Sequence, residues 1–202
     1  SVFATEVSNI SQDSFSSLEE NFHEYAGLIY DGAYSEHLTS AEKKGLTGED
    51  INEEQAQQVA IQFIGQDKIK QIESTGLSAN TDMPCFDFSV QLNSEKDEDN
   101  RATISITQKG GHVVFMNYNR TVEAETISQE RANEIGKEFL AQKGYPNMKA
   151  TYYLKQEGIV TINYAYEQQT QNGTVVMYPD LIKLKIALDT GEVIGIETTG
   201  YL

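Results

Sequence analysis

Apolar residues recur along the chain with two periods, and the switches between them mark out its elements. Phe15, Leu18, Phe22 and Tyr25 lie three or four residues apart, the spacing of a helical stripe, and Val7 and Ile10 prolong it toward the N-terminus. Residues 26–50 lack a period and are punctuated by Gly27, Gly32, Gly45 and Gly48, so an ordered loop is expected there. A second helix is predicted after Asn52. That residue suits an N-cap, Glu53 and Glu54 sit where the helix dipole favours negative charge, and Gly65 ends the run. Its expected buried stripe is Ala56, Val59, Ala60 and Phe63. The period then changes to two. Strands are predicted at about 69–76, 84–93, 101–108 and 112–119. Phe86, Phe88, Val90 and Leu92 alternate with Asp87, Ser89 and Gln91, as in a sheet with one wet face. Lys109-Gly110-Gly111 supplies a hairpin turn.

The plan then repeats. Residues 51–64 align with 127–140 at an offset of 76, with Ile51/Ile127, Glu54/Glu130, Ala56/Ala132 and Phe63/Phe139 identical. Ser128 caps the second copy of the helix, and Ala132, Ile135, Phe139 and Leu140 form its stripe. Lys143-Gly144-Tyr145-Pro146 closes it. Strands are predicted at about 148–156, 159–168, 181–188 and 192–199, with Asp189-Thr190-Gly191 as the matching turn. Gly111 and Gly191 are 80 apart, so the second copy holds four extra residues, placed in the polar loop 168–173. The expected fold class is α+β, with each unit one helix packed on a four-stranded antiparallel sheet. The expected divisions are an N-terminal helix and docked loop (1–50), a first unit (51–120) and a second unit (121–202).

Charge narrows the partners. The 202 residues include 31 acidic and 15 basic side chains, a net charge of −16. Such a surface repels nucleic acid and anionic lipid and steers basic partners. No stretch approaches the ~20 apolar residues of a membrane helix. The chain opens on Ser1 with no signal-peptide pattern, and it reads as a piece of a longer protein, with any membrane anchor lying outside it. The single Cys85 excludes an internal disulfide and falls in a strand pattern, which makes it a packing residue.

Candidate chemistry is sparse. Asp189-Thr190-Gly191 resembles the aspartic-protease tripeptide, but that mechanism needs two carboxylates sharing a proton, and the matching turn, Lys109-Gly110-Gly111, has none. Asp and Gly are also what a hairpin turn demands. Ser40-Ala41-Glu42-Lys43 has the Ser-x-x-Lys spacing of acyl-transfer enzymes without the companion motifs. His23, His37 and His112 lack a second ligand at zinc spacing, and Asp97-Glu98-Asp99-Asn100 lacks the glycine and closing glutamate of a calcium loop. No cofactor and no catalytic residue is expected. The tyrosine-rich segment 28–37 is the candidate partner-binding site. Leu28, Ile29 and Tyr30 would dock on the first unit, and a turn at Asp31-Gly32 would present Tyr34, Glu36 and His37.

The repeated helix pattern, Ile-Ser/Asn-x-Glu-x-Ala-x-x-Ile/Val-x-x-x-Phe-Leu/Ile, followed by strands and a terminal Asp-Thr-Gly-Glu-Val-Ile hairpin, resembles a PepSY domain. Residues 127–196 carry the likeness best and 51–118 more weakly. The run Leu28-Ile29-Tyr30-Asp31-Gly32-Ala33-Tyr34-Ser35-Glu36-His37 ahead of two such units is similar to the YpeB family of spore-germination proteins. It departs from that family at Ala26 and Ala33, where proline is usual, and at Tyr34 and Glu36. The resemblance implies a non-catalytic module, an extracytoplasmic place at the spore membrane or cortex, and a membrane helix and further PepSY sequence outside this chain. It implies a cortex-lytic cell-wall hydrolase as the partner, localised, stabilised or restrained by the protein. The alternative it leaves open is a generic surface PepSY protein that inhibits a protease.

Overall fold

Asn52 begins the first helix through a reciprocal capping box. Its side chain accepts from the Gln55 N–H at 2.8 Å, and Gln55 Oε1 accepts from the Asn52 N–H at 3.0 Å. The helix α1 (Glu53–Ile64) stops at Gly65, whose φ of 105° is cheap only for glycine. In the second copy the Ser128 hydroxyl accepts from the Arg131 N–H at 3.1 Å and opens α2 (Gln129–Gln142). The computed structural model describes residues 6–8, 48–78, 83–94, 100–173 and 175–198, and the predicted helix over 15–25 lies outside them.

The fold is α+β with antiparallel pairing, in two compact units whose described residues lie within 48–121 with 194–198, and within 6–8 with 122–193. In the first-repeat unit, β2 (Ile69–Ser78), β3 (Cys85–Leu92), β4 (Arg101–Thr107) and β5 (Val113–Asn119) pair in chain order beneath α1. Phe88, Val90, Ile104, Ile106 and Met116 fill the space under the helix. In the second-repeat unit, β6 (Met148–Gln156), β7 (Ile159–Gln169) and β8 (Val175–Ala187) pair in order beneath α2, over a core of Ile162, Tyr164, Ile182, Leu184 and Ile186. Each of these fully buried aliphatic side chains contributes about 1.5–3 kcal/mol of transfer free energy.

Four expectations are corrected. First, the sheets are not closed sets of four strands from one repeat. The last strand, β9 (Val193–Glu197), pairs with β5, setting Phe115 opposite Glu197 and Asn117 opposite Gly195. A fifth strand thereby joins the first-repeat unit and satisfies an edge whose N–H and C=O groups would otherwise be unpaired. Second, Val7 belongs to a strand and not to a helical stripe. The segment β1 (Glu6–Ser8) pairs with β6, with Val7 opposite Leu154. Third, the innermost helix positions are Ala56, Ala60 and Ile64 in α1, and Ala132, Gly136 and Leu140 in α2, each set four apart. Val59, Phe63, Ile135 and Phe139 flank those lines and are half-buried. Small residues at the centre let the helix axis approach the sheet, so the bulky neighbours rest on its shoulder. Fourth, β8 starts at Val175, because the β7–β8 ladder continues to Gln169 opposite Val175. Val175-Val176-Met177-Tyr178 are apolar at successive positions, so the added stretch has no alternation of period two to read.

Candidate functional site

The turn that looked most chemical, Asp189-Thr190-Gly191, and its counterpart in the first repeat both hold a helix start in place. In the first repeat the Ile51 N–H donates to the Gln108 carbonyl at 2.8 Å, and in the second the Ile127 N–H donates to Leu188 at 2.9 Å. A Cβ on Gly111 would stand 3.1 Å from Ile51 Cδ1, with Val59 next to it; one on Gly191 would stand 3.1 Å from Ile127 Cδ1 and 2.7 Å from Ile135 Cδ1. These are the same contacts displaced by the repeat. Within the Asp189-Thr190-Gly191 turn, Asp189 Oδ1 accepts from the Thr190 N–H at 2.7 Å, and the Thr126 hydroxyl donates to the Asp189 carbonyl at 2.6 Å. The carboxylate is thus engaged with the backbone of its own turn.

The other sequence candidates divide between the core, the turns and undescribed residues. Cys85 is 7% exposed, and burial, reinforced by the negative charge of Asp87, raises its thiol pKa from 9.0 to about 11. Such a thiol is inert at neutral pH, since the thiolate is the nucleophile. His112 belongs to the first turn, where its N–H donates to Thr107 Oγ1 at 2.8 Å. Among the described residues no three His, Cys, Asp or Glu side chains gather as metal ligands. Tyr30, Asp31, Tyr34, Glu36 and His37 all lie outside the described residues, as do Ser40 to Lys43, His23 and Asp97 to Asp99.

A surface that the sequence reading passed over stands on the first-repeat sheet, on the side away from α1. Residues directly opposite on neighbouring strands share a face, and one row there runs Gly76, Asp87, Ser105, Phe115, Glu197. The next runs Glu73, Ser89, Thr103, Asn117, Gly195. Asp87 is held from both sides, by hydroxyl hydrogen bonds from Ser78 and Ser105 to its two carboxylate oxygens. Phe115 is 42% exposed in the middle of this polar floor. A signal for it exists in the sequence. Val114, Met116 and Tyr118 occupy the inward parity of β5, so Phe115 takes an outward position beside Asn117 and Asn119.

The second-repeat unit has an open cleft of about 790 Å³ between the end of α2 and the start of β6. Lys137, Asn147, Met148, Tyr166 and Glu167 line it. Its wall mixes one ammonium, one carboxylate and amides, with no nucleophile beside a base among these residues. Neither surface assembles acid–base chemistry, and the exposed aromatic in a polar sheet face is the feature suited to recognition.

The whole-chain comparisons agree with the repeat. The family described as YpeB sporulation, PepSY1 and PepSY2 domains matches residues 11–202. The sporulation protein YpeB of Bacillus subtilis (strain 168) is 32% identical over 173 residues, 81% of this chain and 36% of that protein. The YpeB of Halalkalibacterium halodurans is 26% identical over 168 residues, 83% of this chain and 35% of its own length. The chain therefore spans about a third of the length of these relatives. Among solved structures, the Bacillus megaterium YpeB C-terminal domain superposes with a TM-score of 0.65 at 23% identity, covering 76% of this chain and 66% of that one, which shows a shared fold. With the family pattern matched from residue 11 to residue 202, the chain belongs to the YpeB family of sporulation proteins and carries its PepSY domains.

Proposed function

We propose that the chain is a non-enzymatic regulatory module that holds a cortex-lytic peptidoglycan hydrolase, controlling its location, stability or activity in the dormant spore. The observation that carries this reading is the family match over residues 11–202, combined with a fold whose turns and polar side chains are spent on holding helices to sheets. The module works outside the cytoplasm, and membrane attachment comes only from sequence outside this chain. Among the described residues no helix is long and apolar enough to cross a membrane. The net charge of −16 favours a protein partner with a basic face over nucleic acid. Tandem PepSY units, each built on its own helix and hairpin turn, would give the hydrolase two binding platforms. Tyr30, Asp31, Tyr34, Glu36 and His37 are proposed to add a contact ahead of them.

The test pairs the chain with the cortex hydrolase of the same genome. The hydrolase is expected to co-elute with the chain, and deletion of the gene is expected to change the amount or position of the hydrolase in spores. A hydrolase that neither co-elutes nor changes on deletion sinks the reading. Weaker capture after Tyr34→Ala with His37→Ala, at unchanged melting temperature, places the 28–37 segment in the contact; unaltered capture removes it. Purified chain should leave peptides and peptidoglycan uncut, and cleavage abolished by Asp189→Asn would overturn the non-enzymatic reading.

A further inference from the structure

We infer that the open face of the first-repeat sheet seats an extended, basic polypeptide segment, with one lysine or arginine side chain laid on the Phe115 ring between Asp87 and Glu197. The inference rests on the reading of the chain as a protein-binding module and names a surface for it. Phe115 and Leu77 are the large hydrophobic side chains exposed among the described residues, each by 42%. Leu77 sits on the side facing α1, opposite buried Phe86, at the end of the edge strand. Phe115 instead stands mid-strand on the polar face. Its cross-strand neighbours are Ser105, too short to shield the ring, and Glu197. An aromatic ring beside a carboxylate, with a second carboxylate one strand further along the row, is a complement for a cation with an apolar stem, since the ring face attracts the charge and the alkyl chain covers the ring. Lysine and arginine are the side chains with that shape.

The rest of the face suits a polypeptide in extended form. Ser89, Thr103 and Ser105 make a low floor of short side chains across β3 and β4. Glu73 and Asp87 extend the negative charge toward β2, where Gln71 Nε2 donates to Glu73 Oε1 at 2.9 Å. Asp87 needs no reorganisation to receive a cation. Its two oxygens are already oriented by Ser78 and Ser105, and lone pairs remain on both. A chain carrying −16 attracts a basic segment from a distance, and this face offers an aromatic anchor where that attraction can become a defined contact.

The experiment is a fluorescence-anisotropy titration of the whole chain with a labelled peptide of alternating lysine and threonine, against a glutamate–threonine counterpart. The lysine peptide should bind and weaken as salt rises, and the glutamate peptide should not bind. Phe115→Ala should weaken binding by roughly tenfold, the scale of losing a desolvated cation–π contact. Phe115→Trp should strengthen it, and Leu77→Ala should leave it unchanged. Should Phe115→Ala fail to fold, Glu197→Lys tests the same face by charge reversal and should weaken binding. Equal binding by wild type and the Phe115 or Glu197 variants overturns the inference, as does equal binding of the glutamate peptide. The hydrolase co-elution assay keeps the two readings apart. Capture by wild type and by Phe115→Ala alike overturns this surface and leaves the function standing, whereas no capture by wild type overturns the function.

Discussion

Gly136 in α2 and Tyr164 in β7 occupy each other's space: a Cβ on Gly136 would collide with the Tyr164 hydroxyl. Ile186 Cδ1 and Leu184 Cδ1 would close in at 3.2 and 3.3 Å. The hydroxyl turns this proximity into a bond by donating to Asn133 Oδ1 at 3.1 Å. In the first repeat the matching helix position is Ala60, which is fully buried. The glycine is thus the helix's accommodation to one buried tyrosine. Gly136→Ala should gain about 1 kcal/mol of helix propensity, yet lose more to overpacking, for a net destabilisation of about 1–2 kcal/mol. Tyr164→Phe should cost about 0.5–1.5 kcal/mol through the lost hydrogen bond. In the double variant the hydroxyl is gone, so the two losses should sum to less than their separate values in denaturant melts. Strict additivity would show that the pair does not share this space.

The burial pattern of the helices ranks their side chains. Leu140 is fully buried, whereas Phe139 is half-buried with the Lys143 ammonium 5.6 Å from its ring centroid. Leu140→Ala should cost about 2–5 kcal/mol. Phe139→Ala should cost roughly half as much, because its flank of the helix keeps solvent contact on both sides of folding. Ile64 and Phe63 should rank the same way in the first repeat. Chemical denaturation of the four variants checks the order, and a larger loss for either phenylalanine would place the helix axis wrongly.

The Asp189-Thr190-Gly191 turn separates side-chain chemistry from backbone need. Asp189→Asn keeps an oxygen to accept from the Thr190 N–H, so its melting temperature should stay close to wild type. Gly191→Ala must place a Cβ at φ 80°, 2.7 Å from Ile135 Cδ1. It should lose about 1–2 kcal/mol from the left-handed backbone alone, and more from the contact. A tolerant Gly191 and a sensitive Asp189 would reverse this account.

Cys85 gives the protein an alkaline signature. The native thiol keeps its proton up to about pH 11, while the unfolded thiol releases it near 9.0. Stability from this group is therefore complete below about pH 9 and falls as pH rises through the interval to about 11. Burial also raises Tyr153 and Tyr164 above their ordinary value, which adds loss in the same direction at higher pH. Alkylation by iodoacetamide at pH 8 should be far slower than for free cysteine, and Cys85→Ala should flatten the decline of stability above pH 9. Rapid alkylation at pH 8 would contradict the packing seen around the thiol.

The sequence by itself determined the local architecture of the repeat. Asn52 and Ser128 are helix caps because their side chains can reach the N–H groups three residues on, an interaction that needs no distant partner. Ile182, Leu184 and Ile186 are buried as their alternation requires, and the glycines at 111 and 191 stand in the turns. The duplication was legible for the same reason, since caps, stripes and turn glycines recur at nearly constant spacing. The side of the sheet on which Phe115 lies was legible too, from its parity against Val114 and Met116. Tertiary structure alone decided the rest. Pairing of β9 with β5, and of β1 with β6, depends on which strand edges are open, and an edge has no marker along the chain. Ala56, Ala60, Ala132 and Leu140 of the expected stripes are buried, but that Ile64 and Gly136 complete the innermost lines in place of Phe63 and Phe139 is set by how closely the sheet can approach. The grouping of Asp87, Ser105, Phe115 and Glu197 joins residues from four strands. Cross-strand register creates that row, and register is fixed by the packing of the opposite face against α1.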